Sequence, residues 1–179
     1  MHFRGHLPGE EDKNLGGLRA HLHATLSREE GVVFQGVSDK CGRNCTLAEM
    51  LRSKYCLVPG GEVEGWSMRL VHSIALGCVP VLVHDDVELP FEELVDWREF
   101  SLKVREGGVS DMLEQVRGTS SSAWSAKRAA LEKVKRRFTY HDTWQEGDAF
   151  DSLLQVLSHK YRFFRNSPYR FWSDIQPHG

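Results

Sequence analysis

No run of this 179-residue chain is long and apolar enough to cross a bilayer, because the longest apolar stretch, around Ile74 to Val83, is interrupted by Gly77 and Pro80. No amino-terminal leader is expected either. Met1 runs almost directly into Phe3 without an apolar segment, so the sequence as it stands is expected to be soluble and untargeted. Charge of one sign is also lacking. With 23 basic and 25 acidic residues and a formal net charge of −2, the chain has no global field to attract nucleic acid or an anionic membrane, and any polyanion contact must be local. The familiar phosphate loops are absent as well. Gly60 and Gly65 have GxxxxG spacing, but Trp66 stands where the lysine belongs, and no GxGxxG occurs, which argues against an ATPase or a dinucleotide oxidoreductase. Metal-ligand spacing is equally poor. Cys41 and Cys45 have no second pair and no nearby histidine, and His21 and His23, two apart on a helix, cannot share an ion.

What the chain does contain is a strand, a glycine-broken loop, a helix and a second strand in close succession. Tyr55 to Val58 is a short apolar run stopped by Pro59, Gly60 and Gly61, which reads as a buried strand ending in a turn. Ser67 to Leu76 places Leu70, Val71, Ile74 and Ala75 on one side, with Gly77 as the stop, so an amphipathic helix packed on a sheet is expected. Val79 to Val83 is continuously apolar, as a parallel strand buried on both faces must be, and His84, Asp85 and Asp86 mark its carboxyl end. In such sheets ligands bind at the carboxyl ends of strands, where loops feed helix N-termini with free N–H groups. Arg69 and His72, three apart and off the apolar stripe, can both face an anion there.

The rest of the chain extends the same alternation. His2 to Arg4 and Val32 to Phe34 read as strands around a helix from Leu15 to Leu26, and Thr46 with Glu49 resembles a capping box opening a short helix through Ser53. A helix from Phe91 to about Trp97 and a strand from Phe100 to Val104 follow. Ser120 then opens a long helix to about Phe138, and Asp148 caps another from Ala149 to about Phe164. The expected fold is α/β, a Rossmann-like parallel sheet of five strands flanked by helices, with a helical last third. At this length and 40% hydrophobic content the chain supports one layered domain with a real core.

Cys56 and Cys78 sit in apolar runs and read as small core residues, whereas Cys41 and Cys45 flank a polar loop. The latter pair is equally readable as a bridge or as two thiols.

The motifs Tyr55-Cys-Leu-Val-Pro59, Gly65-Trp-Ser-Met-Arg-Leu70, Gly77-Cys-Val-Pro-Val-Leu-Val-His-Asp-Asp86 and Glu88-Leu-Pro-Phe-Glu-Glu-Leu-Val-Asp-Trp97, in that order, resemble the exostosin-like family of glycosyltransferases. Phe3-Arg4-Gly5 and Asp148-Ala-Phe-Asp151 are similar to outer parts of the same pattern. The resemblance covers residues 1–160, the donor-binding half of a two-lobed GT-B enzyme, and leaves residues 161–179 as an aromatic and basic tail. It implies inverting transfer from a nucleotide-diphosphate sugar, a UDP-sugar in particular, to a glycan acceptor, and a home in the Golgi lumen or membrane. It also implies partnership with a missing N-terminal lobe or a partner subunit.

The donor-binding residues implied are Arg4, Gly5, Gly65, Trp66, Ser67, Arg69, His72, Asp85 and Asp86. Arg4 and Arg69 suit a pyrophosphate, and Arg69 can counter charge that grows on the leaving nucleotide; their rival roles are a surface arginine and an ion pair with Glu62, Glu64 or Asp85. Ser67 reads first as a helix cap and second as a phosphate donor. His72 departs from the family pattern, where an acidic residue accepts hydrogen bonds from the donor, and a neutral imidazole offers only one acceptor. Asp85 and Asp86 either touch the sugar or cap a turn.

No residue fills the role of catalytic base, no metal is called for because arginines and amide N–H groups hold the phosphates, and no nucleic-acid partner is expected. The alternative is a catalytically inactive remnant lobe acting as a nucleotide-sugar-binding or scaffold module. The basic stretch Lys127 to Arg137 reads as a solvated helix face, and the aromatics from Tyr161 to Trp172 as a surface that buries against another lobe.

Overall fold

The computed structural model describes residues 1–5, 16–36, 41–60, 67–85 and 87–165. Five strands, β1 (His2–Gly5), β2 (Val33–Gly36), β3 (Tyr55–Pro59), β4 (Val79–Val83) and β5 (Leu102–Val104), form one parallel sheet in the order β2-β1-β3-β4-β5. Helices α1 (Gly16–Leu26), α2 (Arg43–Leu51), α3 (Met68–Leu76), α4 (Trp97–Phe100), α5 (Val109–Gly118), α6 (Ser121–Val134) and α7 (Ala149–Arg165), with short 3₁₀ turns over Glu106–Gly108 and Lys135–Phe138, complete the described elements. The expected five-stranded α/β architecture is therefore present.

Side-chain alternation sorts the layers. Phe3, Tyr55, Leu57, Val79, Val81 and Val83 point to one face, where Leu22 and Leu26 of α1 and Val109, Met112 and Leu113 of α5 cover them. Val58 and Leu82 point to the other, against Leu70 and Ile74 of α3, Trp97 and Phe100 of α4, and Leu131 of α6. Because β3 and β4 are covered on both faces, their residues are apolar without alternation.

Several local expectations give way to tertiary context. Helix α2 starts at Arg43, with Gly42 at the N-cap, and Thr46 and Glu49 form no capping box: the Thr46 hydroxyl donates to the Gly42 carbonyl, and the Glu49 carboxylate is drawn away by Arg4 and His2. Residues 91–94 form turns rather than a helix, with Phe91 at φ 60°, and the helix there is the single turn of α4 capped by Asp96. The long helix after Ser120 ends at Val134 and tightens into a 3₁₀ turn over Lys135–Phe138. Helix α5 is not among the expected elements, although Val109, Met112, Leu113 and Val116 carry its spacing. The caps Ser120 and Asp148 accept the expected backbone bonds from Ala123 and Asp151.

Both cysteine pairs are bridged, Cys41 to Cys45 and Cys56 to Cys78. The second bridge corrects the reading of Cys56 and Cys78 as simple core residues. It ties the start of β3 to the start of β4, beneath Met50 and Leu76.

The strand order reverses direction at β1. The chain leaves β1 toward β2 on one side, then crosses back to β3 on the other, so the connections diverge above the carboxyl ends of β1 and β3. This is the crevice where open parallel sheets bind ligands.

Candidate functional site

Arg69 occupies that crevice. As the second residue of α3 it extends across the top of the sheet, where its Nη2 donates to the Arg4 carbonyl at 2.6 Å and its guanidinium carbon lies 4.4 Å from the centre of the Phe3 ring. The Phe3 face and a neutral carbonyl hold the cation without cancelling its charge. Among the described residues it has no ion-pair partner. Burial first, and then the charge of Arg19, pull its pKa down to about 10. Gly5 makes the seat possible: a Cβ there would overlap Arg69 Nη2 and come within 3.1 Å of the Phe3 ring.

Ser67 sits at the N-cap of α3 with extended backbone, yet its hydroxyl makes no cap bond and is buried without a partner among the described residues. The expected side-chain cap is therefore absent; the Leu70 amide donates to the Ser67 carbonyl at 2.9 Å, and the positive end of the α3 dipole lies at the rim of the sheet.

His72, one turn further, is half-buried. Its pKa is lowered by burial, then by Arg43, then by Arg69. Arg43 is the first residue of α2, whose own N-cap, Gly42, also lacks a side-chain bond. The charge of Arg19 thus reaches Arg69, and those of Arg43 and Arg69 reach His72, so the potential beside the start of α3 is positive and suits an anion. Arg19 and Arg43 escaped the sequence reading. Only an earlier start for α2 would have pointed to Arg43.

Other expected site residues face elsewhere. Arg4 is 8% exposed, and its guanidinium is consumed by Glu49 (Nη2 to Oε1 2.9 Å, Nε to Oε2 3.1 Å), by Gln35 Oε1 at 2.6 Å and by the Gly36 carbonyl at 3.3 Å. Strand alternation puts His2 and Arg4 on the α2 side, so Arg4 contributes its carbonyl to the crevice and its charge to the interior. The same Glu49 bonds His2 Nε2 at 3.0 Å. The bond from Arg4 first, and that from His2 to a lesser degree, hold the Glu49 carboxyl below its ordinary range, while burial lowers the pKa of His2. Asp85 likewise turns away: its Oδ1 accepts from the Glu106 amide at 3.2 Å, and its carbonyl accepts from Lys103 Nζ at 3.1 Å. Gly65, Trp66 and Asp86, with Glu62 and Glu64, lie outside the described residues.

Cys41, Cys45 and Glu49 bring one potential ligand atom each within 4.8 Å of one another. The bridge removes both thiolates, and Glu49 is spent on Arg4 and His2, so the set suits no ion. The basic stretch along α6 is structural. Lys127 Nζ donates to the Arg98 and Ser101 carbonyls at 2.7 and 2.9 Å, Arg128 bonds the Gly77 carbonyl and Glu132, and Arg137 reaches Ser152 and Gln155.

Residues 1–118 match the family model described as the Exostosin GT47 domain. The chain is 43% identical over 126 residues to a probable glucuronoxylan glucuronosyltransferase of Arabidopsis thaliana, covering 67% of this chain and 26% of that protein. It is 37% identical over 114 residues to a probable glucuronosyltransferase of Oryza sativa subsp. japonica, covering 62% and 26%. A probable beta-1,4-xylosyltransferase of Arabidopsis thaliana is 32% identical over 114 residues, covering 63% and 27%. The chain spans about a quarter of the length of these relatives.

Proposed function

Since the chain belongs to the exostosin GT47 family, we propose that it is the donor-binding lobe of a glycosyltransferase and holds the diphosphate of a UDP-sugar above the carboxyl ends of β1 and β3. The observation that carries this reading is Arg69, desolvated and unneutralised at the switch point beside the uncapped start of α3. The leaving nucleotide gains negative charge as the bond from its terminal phosphate oxygen to the sugar C1 breaks. A fixed guanidinium and the positive end of the α3 dipole lower that barrier without reorganising. In the inverting reaction the acceptor hydroxyl attacks C1 from the opposite face, and its proton goes to a base on the other lobe. The positive groups present serve the phosphates, so the reading assigns no metal.

The acceptor is a glycan, and the second lobe lies in the sequence that the relatives have and this chain does not span. Helix α7 supports that partnership. It buries Ala149, Ser152 and Val156 inward, while Phe150, Leu153, Leu154, Leu157 and Tyr161 stay exposed along its other side. Two disulfides suit the oxidising lumen of the secretory pathway, with the Golgi as the assigned compartment. Among the described residues no helix is long and apolar enough to cross a membrane.

Titration of the chain with UDP by calorimetry tests the reading. Binding that is lost in Arg69→Ala and retained in Lys135→Ala is expected; no heat at millimolar UDP overturns it. His72 favours a second reading, a lobe that binds nucleotide sugar without turnover, because an imidazole flanked by Arg43 and Arg69 cannot act as a carboxylate. UDP binding with neither transfer nor hydrolysis, after an acceptor lobe is supplied, would select that reading.

A further inference from the structure

His84 follows directly on β4 and is 3% exposed, yet among the described residues neither ring nitrogen has a hydrogen-bond partner. Folding rarely tolerates an imidazole buried this way, because both nitrogens give up water for nothing. Its charged neighbours are committed elsewhere. Lys103 of β5 donates to the Asp85 carbonyl, Asp85 accepts from the Glu106 amide, and Glu92 of the adjoining turn accepts from the Leu89 amide at 2.9 Å.

The placement of His84 explains what could satisfy it. Leu82 packs on Leu70 of α3, and alternation carries His84 to the same face one step nearer the carboxyl rim. Pro59 pairs with Val83, and the Gly60 amide donates to the Val83 carbonyl at 3.1 Å, so the ends of β3 and β4 run side by side up to this residue. Ser67, whose hydroxyl is the other unpartnered buried group on this rim, opens α3 above them. Two buried polar side chains without partners, one closing β4 and one opening α3, match the oxygens of an anion at the carboxyl rim rather than an apolar filler.

Resting on the donor-lobe reading, we infer that His84 is a phosphate-binding residue of this site, donating a ring N–H to the diphosphate of the nucleotide. The residue is neutral when the site is empty, because burial and Lys103 lower its pKa against the smaller opposing pull of Asp85 and Glu92. A bound diphosphate adds negative charge beside it and draws the proton onto the ring. The other nitrogen is left to the remaining phosphate oxygen or to a water.

The test uses the whole chain with histidine side chains observed by NMR, titrated in pH with UDP, a UDP-sugar, inorganic pyrophosphate or uridine. UDP and pyrophosphate are expected to raise the His84 pKa by about one unit or more, and uridine to leave it unchanged. His84→Ala should weaken UDP binding by about tenfold or more, with His84→Asn, which keeps a donor, falling between. A His84 titration unmoved by UDP and pyrophosphate overturns the inference, as does a shift that appears only with a UDP-sugar, which would place the ring on the sugar. If UDP binds wild type and His84→Ala equally while Arg69→Ala abolishes binding, His84 alone is misassigned. If wild type binds no UDP, the donor-lobe reading and this inference fall together.

Discussion

Removing the Cys56–Cys78 bridge should destabilise the fold and leave the crevice intact. The two cysteines are 22 residues apart, and for a closed loop of that length the chain-entropy relation gives about 11 cal/mol/K, or about 3.4 kcal/mol at 25 °C. Cys41 and Cys45 are four apart, and the same relation gives about 1.9 kcal/mol. Both Cys56 and Cys78 are fully buried, so alanine at each position adds a small cavity cost and no polar penalty. With a urea slope of about 2 kcal/mol/M, the double variant Cys56→Ala/Cys78→Ala should unfold about 1.7 M earlier than wild type, and Cys41→Ala/Cys45→Ala about 0.9 M earlier. Because the longer bridge joins the amino-terminal ends of β3 and β4, while Gly5 and Ser67 lie at the carboxyl ends, UDP affinity of the folded protein should be unchanged. Four titratable thiols in denatured, unreduced protein would refute the pairing. So would equal urea midpoints for wild type and the Cys56→Ala/Cys78→Ala variant.

The remaining expectations concern the crevice, the buried ion pair and the outer helix. Gly5→Ala should displace Arg69 from its seat and weaken UDP binding by about tenfold while circular dichroism stays that of wild type; unchanged affinity would show that the seat does not matter. Glu49→Gln leaves Arg4 buried without its carboxylate and should cost about 3 kcal/mol, at the low end for a buried pair because the Glu49 side chain is 30% exposed. The folded pKa of Glu49 is lowered, so its contribution is complete above the ordinary carboxyl value of 4.5 and is lost as pH falls below it. The lowered pKa of His2 acts in the same direction, beginning at 6.5. Urea midpoints should therefore decline on acidification, and the part below 4.5 should flatten in Glu49→Gln; a parallel decline in both proteins would contradict the assignment. Leu154→Asp with Leu157→Asp, both at exposed positions of α7, should leave Tm within a few degrees and abolish association with a supplied acceptor lobe. A large drop in Tm would mean that this face is already buried.

The unit from Tyr55 to Val83 was legible because its signals are local. A continuous apolar run, a 3.6-residue stripe and a glycine in the left-handed conformation at Gly77 fix strand, helix and stop within a few residues of one another. Helix α5 carries the same kind of stripe, but Gly107 and Gly108 directly before it read as the end of a strand. The parallel, five-stranded character of the sheet followed from the same local units, whereas its order β2-β1-β3-β4-β5 is seen only in the tertiary structure.

Partner choice was of another kind. Arg4 and Glu49 are 45 residues apart, and nothing near Arg4 in sequence says that a helix will bring a carboxylate to it. The reach of Arg19 to Arg69, and of Arg43 and Arg69 to His72, depends on the seating of three helices, and Ser67 lost its cap bond although its type and position favoured one. The amino-acid sequence alone determined where backbone hydrogen bonds close locally and which faces are apolar. Tertiary structure alone decided which charges meet, because side-chain pairing depends on the register of strands and the seating of helices set by the whole core.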